Sequence, residues 1–220
     1  MELFDWSFAW DILPLLLRAA VVTIEVTILA FVIAVVLGLG LAVLRLSSSR
    51  LISAPTTAFI EFIRSTPLLI QIYFVYYVFP EFGVVLPALV AGTTAIALHY
   101  SAYTSEVYRA GLQSVPRGQW EAVVALNLSP YRAYRDIILP QAIPPVVPAL
   151  GNYLIAMFKD TPLLSAIAVV ELLQRAKIIG SDTFRYLEPI TMVGLFFLIM
   201  SLISAAGVRR VEHWLKHRRG

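Results

Sequence analysis

Residues 119–140 read QWEAVVALNLSPYRAYRDIILP, a short polar stretch set between long apolar runs. It carries Glu121, Asn127, Ser129, Arg132, Arg135 and Asp136. The pattern predicts one short helix, a break at Ser129-Pro130, and then the start of a new apolar run, because a residue before proline is turned away from helical geometry. An apolar chain that keeps one such basic loop presents it to water. The loop reads as a docking surface for a partner.

The surrounding composition sets the solvent. Of 220 residues, 59% are hydrophobic and 14% charged, with a mean hydropathy of +0.80. A soluble domain is about half apolar and about a quarter charged, so this chain belongs in a membrane. The expected fold is an all-α membrane protein with about five transmembrane helices and no room for a further soluble domain. Cysteine is absent, which excludes a disulfide framework, thiol chemistry and thiolate metal sites. The net charge is only +3, and no basic run is interleaved with exposed aromatics, so no nucleic-acid partner is expected. The start, Met1 to Asp5, is acidic and lacks the basic lead of a cleavable signal. The first apolar segment is therefore expected to stay in the mature protein.

The apolar run over residues 10–44 exceeds one ordinary span of about 20 residues, and Pro14 and Arg18 divide it. Residues 1–19 are expected to form an interfacial segment, with Trp6 and Trp10 at headgroup level. The transmembrane part, residues 20–210, then contains spans near 20–44, 55–79, 86–108, 137–158 and 187–208. Gly38 and Gly40 end the first span with small side chains suited to close helix packing. Residues 80–83 (PEFG) make a tight turn. The fourth span opens through Pro140, Pro144, Pro145 and Pro148, a distortion tolerated only where neighbouring protein satisfies the freed carbonyls. Residues 163–173 are too short to cross and read as re-entrant or interfacial. Residues 211–220 form a basic tail. Arg45, Arg50, Arg109, Arg117, Arg132, Arg135, Arg209, Arg210, Lys216, Arg218 and Arg219 gather on one side, which makes that side the cytoplasm. The loop at 119–140 and the C-terminus are then inside, and the N-terminus outside.

The loop also resembles a known pattern. Glu121-Ala122, Asn127, and Ile137, Leu139 and Pro140 are similar in kind and spacing to the EAA…G…I-LP motif of importer permeases driven by ATP-binding-cassette (ABC) subunits. Val123 replaces a usual alanine and Asn127 a usual glycine. Glycine there suits a left-handed turn, and asparagine is the next most tolerant residue. The stretch Glu61-Phe62-Ile63-Arg64-Ser65-Thr66-Pro67-Leu68-Leu69 resembles the E-x-x-R-x-T-P-L-L run of polar amino-acid permeases. So do Ala102-Tyr103, Glu106, Arg109, Gly111 and the run from Gln113 to Trp120. Asn152 with Lys159-Asp160-Thr161 resembles their N…KDT segment, with Pro162 where serine is common. The resemblance implies a cytoplasmic coupling helix between the third and fourth spans, seated in an ATPase cleft, with Arg117, Glu121, Ala122, Asn127 and Arg132 at the contact. It also implies a second permease subunit, an extracytoplasmic substrate-binding protein, surrounding membrane lipid, and ATP-driven alternating access for a polar or zwitterionic amino acid. His99-Tyr100-Ser101 and Lys159-Asp160-Thr161-Pro162 look, in addition, like permeases for ectoine-type compatible solutes. This chain has no phosphate loop of its own, so energy is expected from the partner ATPase; no cofactor and no enzymatic role are expected.

Ionisable residues inside the spans are functional candidates, since an unpaired charge there costs about 3 kcal/mol or more. Glu61 and Arg64 lie at i, i+3 and can pair, as a structural pair or as part of the substrate pathway. Glu106 and Arg109 repeat the spacing as a structural or gating pair. Glu25, between Thr23 and Thr27, pairs across helices with Arg64 or Lys159, or meets a substrate ammonium. His99 and Tyr100 pack as core or stack on a cationic ligand. Lys159 and Asp160 bind a carboxylate and an ammonium, or anchor the helix at the interface. His213 and His217, at i, i+4 in the basic tail, read as a solvated face rather than a metal site. The rival class, an ion-driven carrier using Glu25 and Glu61, would show inverted repeats, and none is visible.

Overall fold

The computed structural model describes residues 4–217, with side chains through 215; residues 1–3 of the acidic start and 218–220 of the basic tail lie outside the described residues. No strand occurs among the described residues.

Helix α1 (Trp6–Arg45) runs unbroken for 40 residues, about 60 Å at 1.5 Å per residue. The expected break at Pro14 or Arg18 is absent, and the first span is continuous with the segment before it. The physical reason lies at both ends of that segment. Asp5 caps the helix by accepting the Phe8 N–H at 3.1 Å. Ala9 is then buried, and Ile12, Leu16, Ala19 and Ala20 pack with Leu172, Ala176, Ile179 and Val193. That burial outweighs the one backbone hydrogen bond which Pro14 removes.

The second expected span is also corrected. Helix α2 (Arg50–Ser65) and helix α3 (Leu68–Tyr73), which continues through wider and tighter turns to Phe82, meet at 107°. Thr66 is extended, at φ −109° and ψ 139°, as the residue before Pro67 must be. The chain turns back at Gly83, whose φ of 81° places it in the left-handed region, where glycine meets no Cβ clash. The tight turn at 80–83 is thus present.

Helix α4 (Ala88–Gln113) lies along α1. Gly38 is a point of close approach: a Cβ there would sit 1.9 Å from Thr104 Oγ1 and 2.8 Å from the Ser101 carbonyl oxygen. Gly40, by contrast, faces open space. Only the first of the two glycines therefore permits the packing expected of both. The Thr104 hydroxyl donates to the Ala34 carbonyl at 2.8 Å, and Tyr108 donates to that of Val35 at 3.2 Å.

Helix α5 (Arg117–Ala125) and the single turn α6 (Pro130–Arg132) form the polar loop. A wider turn over Ala133–Ile138 leads into α7 (Leu139–Asp160), which absorbs Pro144, Pro145 and Pro148 inside it. A widened turn loosens the local hydrogen-bond ladder, and it falls just before this proline-rich start. Residues 163–173 prove to be packed protein. A tight turn over Thr161–Ile167 buries Leu164 and Ile167, and Leu172 is also buried. Two threonines of α1 anchor this segment: Thr27 and Thr161 share a hydroxyl contact at 3.0 Å, and Thr23 Oγ1 accepts the Leu172 N–H at 3.2 Å. Fully buried Glu171 then caps α8 (Leu172–Thr183), accepting the N–H groups of Leu173 at 2.9 Å and Gln174 at 2.7 Å. Helix α9 (Leu187–His217) completes the bundle.

Three long helical stretches, Trp6–Arg45, Pro130–Ile167 and Leu187–Leu215, are each apolar enough to cross a membrane, and the bent α2–α3 pair makes a fourth if counted as one span. The third expected span, near 86–108, corresponds to α4. Its 26 residues are about 39 Å long, but His99, Ser101, Thr104, Ser105, Glu106 and Arg109 dilute its apolar character. That polarity is where the candidate site begins.

Candidate functional site

Two regions carry the polar groups. The first is the loop. Helix α5 ends in a left-handed closure: Asn127 has φ 48°, the Leu128 N–H bonds the Val123 carbonyl at 3.2 Å, and the Asn127 N–H bonds that of Val124 at 3.0 Å. This paired pattern is the Schellman arrangement, which wants glycine or asparagine at its left-handed residue. The sequence expectation for Asn127 is met at the backbone. Arg117, Glu121, Ala122, Asn127 and Arg132 are all exposed, and so are the apolar Val124, Leu126 and Tyr131. Trp120 holds the loop down. It packs with Val115, Ile138 and Ala142, and its ring meets Tyr134 edge-on at 5.9 Å. The loop is thus a rigid, mixed polar and apolar surface rather than a free strand of chain.

The second region runs along α4. Three arginines from three helices converge on Glu106. Arg45 of α1 donates to Oε1 through Nη1. Arg109 donates to Oε2 through Nε at 2.8 Å and Nη2 at 2.6 Å. Arg64 of α2 lies 3.6 Å from Oε1 and 3.8 Å from Glu61. Sequence spacing gave the two i, i+3 pairs but could not supply Arg45 or the cross-link from Arg64. Arg64 also lies over the Tyr103 ring, 5.5 Å from its centroid, which joins this ionic node to an aromatic one.

The aromatic node gathers His99, Tyr100, Tyr103 and Tyr153, with ring centroids between 5.0 and 6.2 Å apart. Tyr100 donates to Asp160 Oδ2 at 2.6 Å, so Asp160 reaches back into the bundle. His99 pairs with Gln71 at 3.1 Å. Tyr103 stands in the sequence only as part of the run that resembles amino-acid permeases, and neither it nor Tyr153 or Gln71 is a site candidate there. Tyr103 stands four residues after His99, so the i, i+4 spacing was a usable signal; Tyr153 and Gln71 come from other helices. Chemically, the guanidinium of Arg64 suits a carboxylate, while tyrosine faces beside the Asp160 carboxylate suit an ammonium.

Glu25 and Lys159 do not join the cluster. Arg64 is engaged with Glu61 and Glu106, and neither Glu25 nor Lys159 forms a hydrogen bond or ion pair among the described residues. Thr23 and Thr27 turn toward residues 161–172, which leaves Glu25 on the exposed side of α1. The expected pairing of Glu25 with Arg64 or Lys159 is therefore corrected.

A third cluster, absent from the sequence reading, closes the opposite end of the bundle. Arg185 reaches Asp5 Oδ2 at 3.2 Å and Glu188 Oε1 at 2.7 Å, and lies over the Phe8 ring at 4.2 Å. The Phe8 N–H, then the Arg185 guanidinium, hold the Asp5 carboxyl below the usual carboxylate range.

Residues 34–217 match the family described as "Binding-protein-dependent transport system inner membrane component". The chain is 50% identical, over 94% of its length and 90% of the relative's, to the probable amino-acid ABC transporter permease protein y4tG of Sinorhizobium fredii. It is 34% identical to the glutamine transport system permease protein GlnP of Escherichia coli, over 97% of this chain and 98% of GlnP. The L-cystine transport system permease protein TcyB of Bacillus subtilis is 33% identical over 95% of this chain and 94% of its own length. Among solved structures, an amino acid ABC transporter crystallised with histidines aligns with a TM-score of 0.91 at 37% identity, covering 96% of this chain and 98% of that one. The inward-facing MetNI methionine transporter shares the fold, with a TM-score of 0.79 at 20% identity over 93% of this chain and 98% of its own. The chain belongs to the binding-protein-dependent transport system inner membrane component family, as a multi-pass permease subunit of an ABC importer.

Proposed function

We propose that this permease imports a zwitterionic amino acid, drawing its energy from a separate ATPase that grips the exposed loop. The observation that carries the reading is the polar run along α4, from the aromatic node at His99 and Tyr100 to the arginine node at Glu106. A membrane-spanning helix keeps such groups only where they face protein or a water-filled path. Arg64 and Asp160 offer opposite charges to the two ends of a zwitterion, and His99, Tyr100 and Tyr103 lie around them. The relatives named above include permeases for glutamine and cystine, which favours an amino acid over an ectoine-type solute.

The loop lies at the end of the bundle that carries Arg45, Glu106 and Arg109. We place that end in the cytoplasm, from the basic residues gathered there. ATPase closure pushes on Arg117, Glu121 and Ala122, and α5 hands the motion directly to α4 through residues 114–116. There Arg109 bonds Gln113 at 2.7 Å and Glu106 at 2.6 Å. Movement of α4 loosens the three-arginine node and lets α1, α2 and α4 separate at one end. Exposed Glu25 and Lys159 are assigned to the face that meets the second permease subunit.

The test is uptake into proteoliposomes holding this chain, its ATPase and its binding protein. L-glutamine, L-arginine and L-cystine serve as probes. ATP-dependent uptake of at least one supports the proposal. Uptake driven by an ion gradient with the ATPase omitted overturns it.

A further inference from the structure

Pro67 stands between α2 and α3, and it removes one backbone donor at the bend. In a continuous helix the N–H of residue 67 would bond the carbonyl of Ile63, four residues earlier, but proline has no N–H. A buried carbonyl without a partner is costly. The Thr66 hydroxyl reaches that carbonyl at 3.2 Å, and Gln71 supplies the closer donor. Its Nε2 donates to the Ile63 carbonyl at 2.8 Å, to Thr66 Oγ1 at 2.6 Å, and toward the Thr66 carbonyl at 3.1 Å.

These contacts settle the orientation of the amide. Two of the three neighbours are carbonyl oxygens, which only accept, so the nitrogen and not the oxygen of Gln71 must face them. Gln71 Oε1 is thereby turned the other way, toward His99 Nδ1 at 3.1 Å. An amide oxygen only accepts, so His99 must carry its proton on Nδ1. In the neutral ring the other nitrogen, Nε2, is then a lone-pair acceptor. It has no hydrogen-bond partner among the described residues, and its ring lies 5.4 Å from Tyr100 and 5.0 Å from Tyr103.

We propose that Gln71 is a positioning residue of the transport path: one amide both replaces the N–H missing at Pro67 and holds His99 as the Nδ1–H tautomer, so that Nε2 selects substrates bearing a side-chain N–H donor. This rests on the reading of the α4 cluster as the substrate path. The selected class is amide- or amine-bearing amino acids, and the disfavoured class is those that offer only acceptors. The elbow and the selectivity are thus tied to the same side chain.

The test has two arms. In the first, the full chain, 15N-labelled at histidine, is placed in lipid nanodiscs, and the nitrogen shifts of His99 are assigned by their loss in His99→Leu. The proton is expected on Nδ1 in the unsubstituted chain and on Nε2 in Gln71→Met, where nothing holds it. In the second arm, the transporter assembled with its ATPase, without binding protein, is titrated with L-glutamine and L-glutamate, which differ by an amide against a carboxylate. The preference for L-glutamine is expected to fall about tenfold in Gln71→Met, the worth of one mismatched hydrogen bond. Gln71→Glu accepts from His99 but cannot serve Ile63, so it should keep the Nδ1–H tautomer while uptake slows. That variant keeps the test open if Gln71→Met fails to fold. A proton on Nε2 of His99 in the unsubstituted chain overturns the proposal outright, and so does an unchanged preference in Gln71→Met. Loss of all amino-acid transport with the Nδ1–H tautomer intact would overturn the substrate-path reading and, with it, the selectivity claim, while leaving Gln71 as the elbow's brace.

Discussion

Gly38 and Gly40 offer a matched pair of perturbations on roughly opposite faces of one turn of α1. A Cβ on residue 38 would stand 1.9 Å from Thr104 Oγ1 and 2.8 Å from a backbone oxygen of α4. The hydroxyl can rotate away; the backbone cannot, so the helices must part. Overpacking of this kind costs about 1–3 kcal/mol. Parting the helices also lengthens the 2.8 Å bond from Thr104 to the Ala34 carbonyl, worth about 1 kcal/mol. Gly38→Ala is thus expected to destabilise the chain by about 2–4 kcal/mol. Gly40→Ala meets nothing within 4 Å, and the higher helix propensity of alanine makes it neutral or mildly stabilising, by up to about 1 kcal/mol. The assay is equilibrium unfolding of the two variants in mixed micelles, followed by tryptophan fluorescence. Equal stability of Gly38→Ala and Gly40→Ala would refute the close α1–α4 approach.

Three further outcomes follow from the same contacts. Glu106→Gln leaves Arg45, Arg64 and Arg109 without their shared carboxylate. Partial exposure of the arginines, at 22–36%, moderates the cost to about 2–4 kcal/mol, and ATPase turnover uncoupled from uptake is the functional sign to measure. Asn127→Val forces a β-branched residue into a left-handed position at about 1–2 kcal/mol, weakening ATPase binding about tenfold, whereas Asn127→Gly should bind as well as the unsubstituted chain. Because the folded Asp5 carboxyl is held low, its contribution to stability is present above the ordinary carboxylate pKa of about 3.9 and is lost as pH falls through the lower folded value. Asp5→Asn should therefore flatten the acid limb of a stability–pH curve, and an unaltered limb would show that the Asp5–Arg185 contact adds nothing to stability.

The loop was legible because its signals are local. Helix length, the left-handed residue at 127 and the Ser129-Pro130 break all lie within a few positions, and the backbone follows them. The arginine node was half legible. The i, i+3 pairs could be read from spacing, but Arg45 stands 61 residues from Glu106, and no periodicity links them. Hydropathy sees an apolar run and not its direction, so the 107° elbow at Pro67 was hidden inside what looked like one span. The opposite error fell at Pro14, where burial against α8 and α9 carries the helix through a residue that usually stops one. Glu171 gave no local sign either. Its carboxylate is buried because the N-terminus of α8 is buried, which only the packing of α1 reveals.

In the proposed mechanism the ATPase takes hold at α5. The most direct test is the affinity of the ATPase subunit for this chain in lipid nanodiscs, with Glu121 intact and with Glu121→Lys. The exposed charge should reverse its contribution without disturbing the Trp120 and Ile138 packing beneath. Binding weakened by about tenfold or more, with the chain's helicity unchanged, is the predicted result; equal affinity of the two proteins would contradict it.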